Sequence, residues 1–262
     1  MRYGLTLPIF DELADPGVLA ALAVEAEQAG WDGVFLWDHV HYRLPTTRAT
    51  DPWIALAAMA DRTQRVLLGP MVTPLARRRP QVVARQVVAL DHLSGGRVVL
   101  GAGLGLDSSG GELSKFGEET DDRRRAGMLD EALELIRALT AGEPVDHHGT
   151  YFTAEDVTFR PPAVNGSIPI WVAARWPNRR PLRRAARYDG VFVIDLEPAD
   201  LEEALRYLEP LRRPGPFDVV VQVPADEDTR PWEEAGATWW LAAFDSFTVT
   251  PSEVRRVIHR KL

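Results

Sequence analysis

Short apolar runs alternate with amphipathic stripes along the whole of this chain. The runs fall at residues 2–8, 32–37, 65–70, 97–102, 168–172, 190–194, 217–223 and 237–241. They are largely continuous rather than alternating, as expected of strands buried on both faces. Asp15-Pro16 and Asp51-Pro52 each set a capping carboxylate before a first-turn proline. They predict helices to about Ala29, stopped by Gly30, and to about Arg62. Further helices are predicted over about 80–92, 122–141, 178–187, 198–209, 231–235 and 251–260. In the 122–141 helix, Met128, Leu129, Leu133, Ile136 and Leu139 recur with the 3.6-residue period and Gly142 ends the stripe. Eight strands, each followed by a helix, predict an α/β fold. A single-domain (β/α)8 TIM barrel over residues 1–262 suits this length better than an open doubly wound sheet. Three segments interrupt the alternation: a polar loop at 38–50, a long loop at 106–121 with Ser108, Ser109, Gly110 and Gly111 in a row, and an irregular excursion at 143–166 with a hairpin around His147 to Phe152. Long loops within a compact domain are usually functional or mobile.

Composition narrows the function. The net charge is −8, which argues against a nucleic-acid or anionic-membrane binder. The chain has no cysteine, which excludes disulfides, thiolate metal sites and a cysteine nucleophile. No apolar run reaches 18 residues, and the N-terminal apolar stretch is too short for a signal peptide, so a cytoplasmic location is expected. The only lysines are Lys115 and Lys261, neither at a predicted strand end. Barrel aldolases and sugar-phosphate isomerases usually place a lysine or a carboxylate there, so that class is disfavoured.

Ligand sites of such barrels gather at the carboxyl ends of the strands. Asp38-His39 follows the second strand directly. A histidine there can take or give a proton near neutral pH, with Asp38 orienting the loop. Gly101-Ala102-Gly103-Leu104-Gly105 ends the fourth strand. It lacks the third glycine of a dinucleotide fingerprint at the proper spacing, so it fits close backbone approach to a flat ring better than an NAD site. Phe10, Trp37 and Trp53 are candidates for an apolar substrate pocket, while Trp239-Trp240 reads as barrel core. His147-His148 does not suggest a metal, because adjacent side chains on an extended segment diverge.

These pieces, in order, resemble the bacterial-luciferase-like oxidoreductases. The resemblance is carried by Trp37-Asp38-His39, D-P-W-I-A-L-A-A-M-A from Asp51, T-Q-R-V-L-L-G from Thr63, V-T-P-L from Val72, L-S-G-G-R-V-V-L-G-A-G-L-G from Leu93, F-G-E from Phe116, D-E-A-L-E-L-I-R-A-L from Asp130, P-I-W-V-A from Pro169, R-A-A-R-Y-D-G from Arg184 and G-A-T-W-W-L from Gly236. It implies a (β/α)8 barrel using reduced FMN, to oxygenate a small organic substrate, or F420, to transfer hydride. His39 is the implied catalytic residue, beside the cofactor ring. Pro70, Met71 and Val72 are implied to back that ring, with a non-prolyl cis peptide at Pro70-Met71 or Met71-Val72. Gly103, Leu104 and Gly105 are implied cofactor contacts. Ala173, Ala174, Arg175 and Asn178 stand where relatives bind the cofactor phosphate at a helix N-terminus, often with glycines in place of the two alanines. Most of the six arginines within 175–187 are expected to be a solvated face. A separate flavin or F420 reductase and a homodimer also follow from the resemblance. The chain resembles a trimmed member, with a shorter C-terminal part. The alternative is a degenerate barrel that binds flavin or a small molecule without redox turnover.

Overall fold

The computed structural model describes residues 1–260; Lys261 lies outside them. In chain order the elements are β1 (Arg2–Leu7), α1 (Pro16–Ala29), β2 (Gly33–Leu36), α2 (Pro52–Arg62), β3 (Leu67–Pro70), β4 (Thr73–Pro74), α3 (Pro80–Ser94), β5 (Leu100–Gly103), α4 (Asp122–Thr140), β6 (Pro144–His148), β7 (Thr153–Thr158), β8 (Ile170–Ala174), α5 (Arg179–Ala185), β9 (Gly190–Val193), α6 (Pro198–Leu208), β10 (Asp218–Pro224), α7 (Arg230–Glu234), β11 (Trp239–Ala243) and α8 (Pro251–Ile258). A parallel sheet runs β3-β2-β1-β11-β10-β9-β8-β5-β4. It closes on itself because Leu68 of β3 pairs with Val98, just before β5. The closing bonds are Leu68 N–H to the Arg97 carbonyl at 3.0 Å and Val99 N–H to the Leu68 carbonyl at 2.9 Å. β3 and β4 are thus two halves of one barrel position, broken at Met71-Val72. The eight predicted strands all appear, and the break is the one feature of the barrel that the apolar pattern does not carry.

Strand alternation sorts the side chains into two layers. Phe35, Met71, Val99, Trp171, Phe192, Val220, Trp239 and Leu241 plug the barrel. The Trp171 ring lies 5.4 Å from Phe35 and 5.3 Å from Trp239, so the interior is filled rather than hollow. Outward residues such as Leu5, Leu7, Val34, Leu36 and Trp240 pack beneath the helices. The amino-terminal end of the barrel is shut by Arg2, which pairs with Asp218 and lies 4.4 Å above the Trp239 ring. Arg97, at the end of the Gly-Gly turn, is buried and donates to the carbonyls of Ala60, Thr63, Val66 and Ser94.

The helix starts are as the caps predict. The Asp15 carboxylate accepts from Gly17 N–H at 2.7 Å and that of Asp51 from Ile54 N–H at 2.9 Å. The excursion after α4 is the β6–β7 antiparallel hairpin. Its tip is fastened by Glu131, which accepts from Tyr151 and Phe152 N–H and meets His147 Nε2 at 3.2 Å. His148 faces Glu155 instead, so the two histidines diverge. No cluster of three or more metal-ligating side chains occurs among the described residues. No helix among them is long and apolar enough to cross a membrane.

Candidate active site

The loop after β2 enters the carboxyl mouth as Trp37-Asp38-His39. Trp37 Nε1–H reaches back to Thr6 Oγ1 at 3.2 Å, which holds the loop over β1. Asp38 is buried and takes four hydrogen bonds: from Trp53 Nε1 at 3.1 Å, Thr73 Oγ1 at 2.8 Å, Arg77 Nη2 at 2.7 Å and Arg78 Nη1 at 3.3 Å. A buried carboxylate is tolerated only when its lone pairs are met in this way. Asp38 is therefore an anchor that fixes the peptide carrying His39.

The His39 side chain is 19% exposed, and its Nδ1 lies 3.0 Å from Glu112 Oε2. Glu112 comes from the long loop after β5 and is itself buried. Its other oxygen accepts Val40 N–H at 2.6 Å and the Arg77 guanidinium. Arg77 thus bridges Asp38 and Glu112, and one carboxylate clasps the 38–50 loop to the 106–121 loop. Burial pushes the Glu112 carboxyl upward, but the hydrogen bond and charge of His39, the Arg77 charge and Val40 N–H outweigh it. The net direction is below the usual carboxylate range. Aromatic rings enclose the imidazole: Tyr42 at 5.1 Å, Phe10 at 5.7 Å and Trp37 at 6.0 Å. Phe10 also stacks on Tyr42 at 4.4 Å.

Below this rim Val72, Ala173 and Ile194 rest on the barrel plug and are only partly buried. They make a small-residue, apolar floor. A Cβ at Gly101 would overlap the Pro70 carbonyl, and one at Gly103 would overlap Val72. The glycines therefore let the broken β3–β4 strand lean on β5, Gly101 against the Pro70 backbone and the buried Gly103 against the Val72 side chain. The break carries a non-prolyl cis peptide at Met71-Val72. Leu104 and Gly105 are held through their carbonyls by the buried Arg125 of α4, at 2.9 and 3.0 Å.

Several expected site residues stand elsewhere. Trp53 is buried, spends its N–H on Asp38 and has Arg78 over its ring at 5.3 Å, so it backs the anchor instead of lining a pocket. Ala174 faces outward into the layer beneath the helices, because it alternates with the inward Ala173. Met71 belongs to the barrel plug below the floor, and Pro70 is likewise buried. Arg175 pairs with Asp195 at 2.6 Å in an exposed position. Asn178 caps α5, a helix of seven residues, without a side-chain bond, and its N–H goes to the Arg175 carbonyl at 2.9 Å. Of the following arginines, Arg184 is buried and meets Asp130, the exposed Arg187 shares that carboxylate, and Arg183 meets the Tyr207 hydroxyl. Sequence reading missed Arg77, Glu112 and Tyr42. R-R-R-P and G-G-E are visible as text, but no periodicity links residues 35 positions apart.

A closed (β/α)8 barrel with a histidine–carboxylate pair at its carboxyl mouth defines the structural class. The profile of the luciferase-like monooxygenases matches residues 2–258, and the chain belongs to that family. An F420-dependent glucose-6-phosphate dehydrogenase of Beutenbergia cavernae is 41% identical over 184 residues, covering 68% of this chain and 52% of that protein. The chain spans about half the length of the curated dehydrogenases of that name that it matches. Among solved structures, the coenzyme F420-dependent tetrahydromethanopterin reductase of Methanopyrus kandleri superposes with a TM-score of 0.80 at 19% identity, covering 98% of this chain and 96% of that one. A monooxygenase from Streptomyces bottropensis gives 0.73 at 24% identity, covering 90% and 75%. At those identities the two structures show the shared fold.

Proposed function

We propose that this protein is an oxidoreductase that binds F420 or FMN at the carboxyl mouth and acts on a small organic molecule, with F420 the first cofactor to test. The observation that carries the reading is the His39 imidazole, held at the rim by Glu112 above an apolar floor of small side chains. Dehydrogenases similar in sequence to part of the chain are named for F420, which favours the deazaflavin. The residues suit a flat ring: Val72, Ala173 and Ile194 offer a surface free of charged groups, with Gly103 buried behind Val72, flanked by the 104–105 backbone. Arg175 would hold the phosphate end together with the Trp176 N–H, and it would exchange Asp195 for the ligand at little cost because that ion pair is exposed, whereas Asn178 N–H is already spent on the Arg175 carbonyl.

When bound, such a cofactor supplies a two-electron carrier. The chain supplies the rest. His39 holds or accepts a proton at Nε2, the ring nitrogen that Glu112 leaves free. Asp38 and Arg77 keep the histidine loop from drifting. Phe10, Trp37 and Tyr42 shield the imidazole from water, which strengthens each polar contact around it. A separate reductase supplying reduced cofactor and a homodimeric assembly belong to the same reading. The test is a thermal-shift and absorbance titration with F420 and with FMN, each oxidised and reduced. Selective stabilisation by one is expected, because a ligand of the native state must raise its stability. No shift with either would overturn the reading in favour of a barrel without a redox cofactor.

A further inference from the structure

We infer that Glu112 is a positioning residue: it holds the proton of neutral His39 on Nδ1 and so leaves Nε2 as the basic nitrogen offered to the mouth. The inference deepens the proposed role of His39 and rests on that reading for its consequence in turnover, but not for its own test. The two carboxylate oxygens of Glu112 have different partners. Oε1 of Glu112 is taken by Val40 N–H at 2.6 Å and by Arg77. Oε2 is left for His39 Nδ1, at 3.0 Å. A carboxylate can only accept, so in the neutral imidazole the nitrogen facing it must carry the hydrogen. The other ring nitrogen then has the free lone pair.

The surroundings make this choice rigid. Glu112 cannot swing away from His39 without stripping Val40 N–H and Arg77 of their acceptor, and a half-turn of the carboxylate only exchanges two equivalent oxygens. Arg77 cannot follow it, because Asp38 holds its other nitrogen at 2.7 Å. Asp38 is held in turn by Trp53, Thr73 and Arg78. The groups around the imidazole are Glu112 on its own side, the Phe10, Trp37 and Tyr42 rings on the others, and Arg77 and Asp38 one contact further out. The nearby His41 and Lys115 meet each other at 3.2 Å on the exposed rim. Among the described residues no other protein group competes for the His39 nitrogens.

Glu112→Gln gives a sharp test, since it keeps the shape of the side chain. Val40 N–H and Arg77 are donors, so they retain the amide oxygen. The amide nitrogen then replaces Oε2 and donates to Nδ1. The histidine proton must move to Nε2. The measurement is a long-range 1H–15N correlation spectrum of labelled protein without any cofactor, recorded on the alkaline plateau where the imidazole carries one proton, with His39 identified among the six histidines by the signal lost in His39→Gln. Wild type is expected to show a protonated Nδ1 and a bare Nε2, and E112Q the reverse. If E112Q does not fold, the wild-type spectrum alone decides. A wild-type His39 with its proton on Nε2, or an E112Q protein with the wild-type tautomer, would overturn the inference. The expected spectra in a protein that binds neither F420 nor FMN would leave this inference standing and sink the proposed function instead.

Discussion

At the scale of single residues, the site is built on one buried carboxylate that four donors share. Asp38 gathers Trp53, Thr73, Arg77 and Arg78 around itself. Asp38→Ala would leave Trp53 and Thr73 without an acceptor in a buried place and take a charged partner from Arg77 and Arg78, which keep Glu112 and Gln86. We expect a loss of about 3–5 kcal/mol in unfolding free energy, measured by urea denaturation. Asp38→Asn keeps one acceptor oxygen and should lose less. Equal and negligible losses for both would mean that Asp38 is not the anchor. The sequence carried Asp38 and His39 plainly, since they follow a strand, and strand ends face the mouth. It did not carry Glu112 or Arg77, because their partners are assembled by loop packing. It misdirected Trp53 for a related reason. A residue type suggests a pocket, but only the local backbone decides which way it faces.

The element that shapes the floor is the broken third barrel strand. β3 pairs with β2 and with Val98, while β4 pairs with β5. The break brings the Pro70 carbonyl against Gly101, where backbone meets backbone. Gly101→Ala cannot be absorbed by a rotamer change. We expect it to cost about 2–4 kcal/mol of stability, read from a shifted denaturation midpoint. A fully stable variant would show that β5 can move away from the break. The apolar runs revealed eight strands and their order because burial on both faces writes itself into composition. The break was invisible to that pattern, since two residues carry no period, and its position came from the family resemblance. The 106–121 loop was legible as long and glycine-rich, yet its role as a clasp depends on the single side chain of Glu112.

For the whole molecule, closure of the barrel also rests on contacts at its far end. Glu27, near the end of α1, accepts N–H bonds from Gln64, Arg65 and Val66 at the approach to β3. Burial pushes its carboxyl up, but those three N–H groups, with the Arg97 charge, more than offset this and hold it below its ordinary value of 4.5. Glu112 is displaced the same way at the mouth. A carboxyl held lower in the folded than in the unfolded chain contributes stability above the unfolded value, and that contribution is lost as pH falls through the folded one. Stability should therefore be level in this respect above about pH 4.5 and decline below it. Glu27→Gln should lower stability at pH 7 by about 1–2 kcal/mol and flatten the acid decline. An unchanged acid limb would contradict the assignment.

The central claim is that a flat redox cofactor rests on the floor of Val72, Ala173 and Ile194 beneath His39. It is tested most directly by titrating F420 and FMN into the wild type and into Ala173→Phe, which fills that floor, while melting temperatures confirm that both are folded. The account predicts that one cofactor binds and stabilises the wild type and that A173F weakens its binding by at least about tenfold, equivalent to 1.4 kcal/mol. Equal binding to the two folded proteins, or no binding to the wild type, would contradict it.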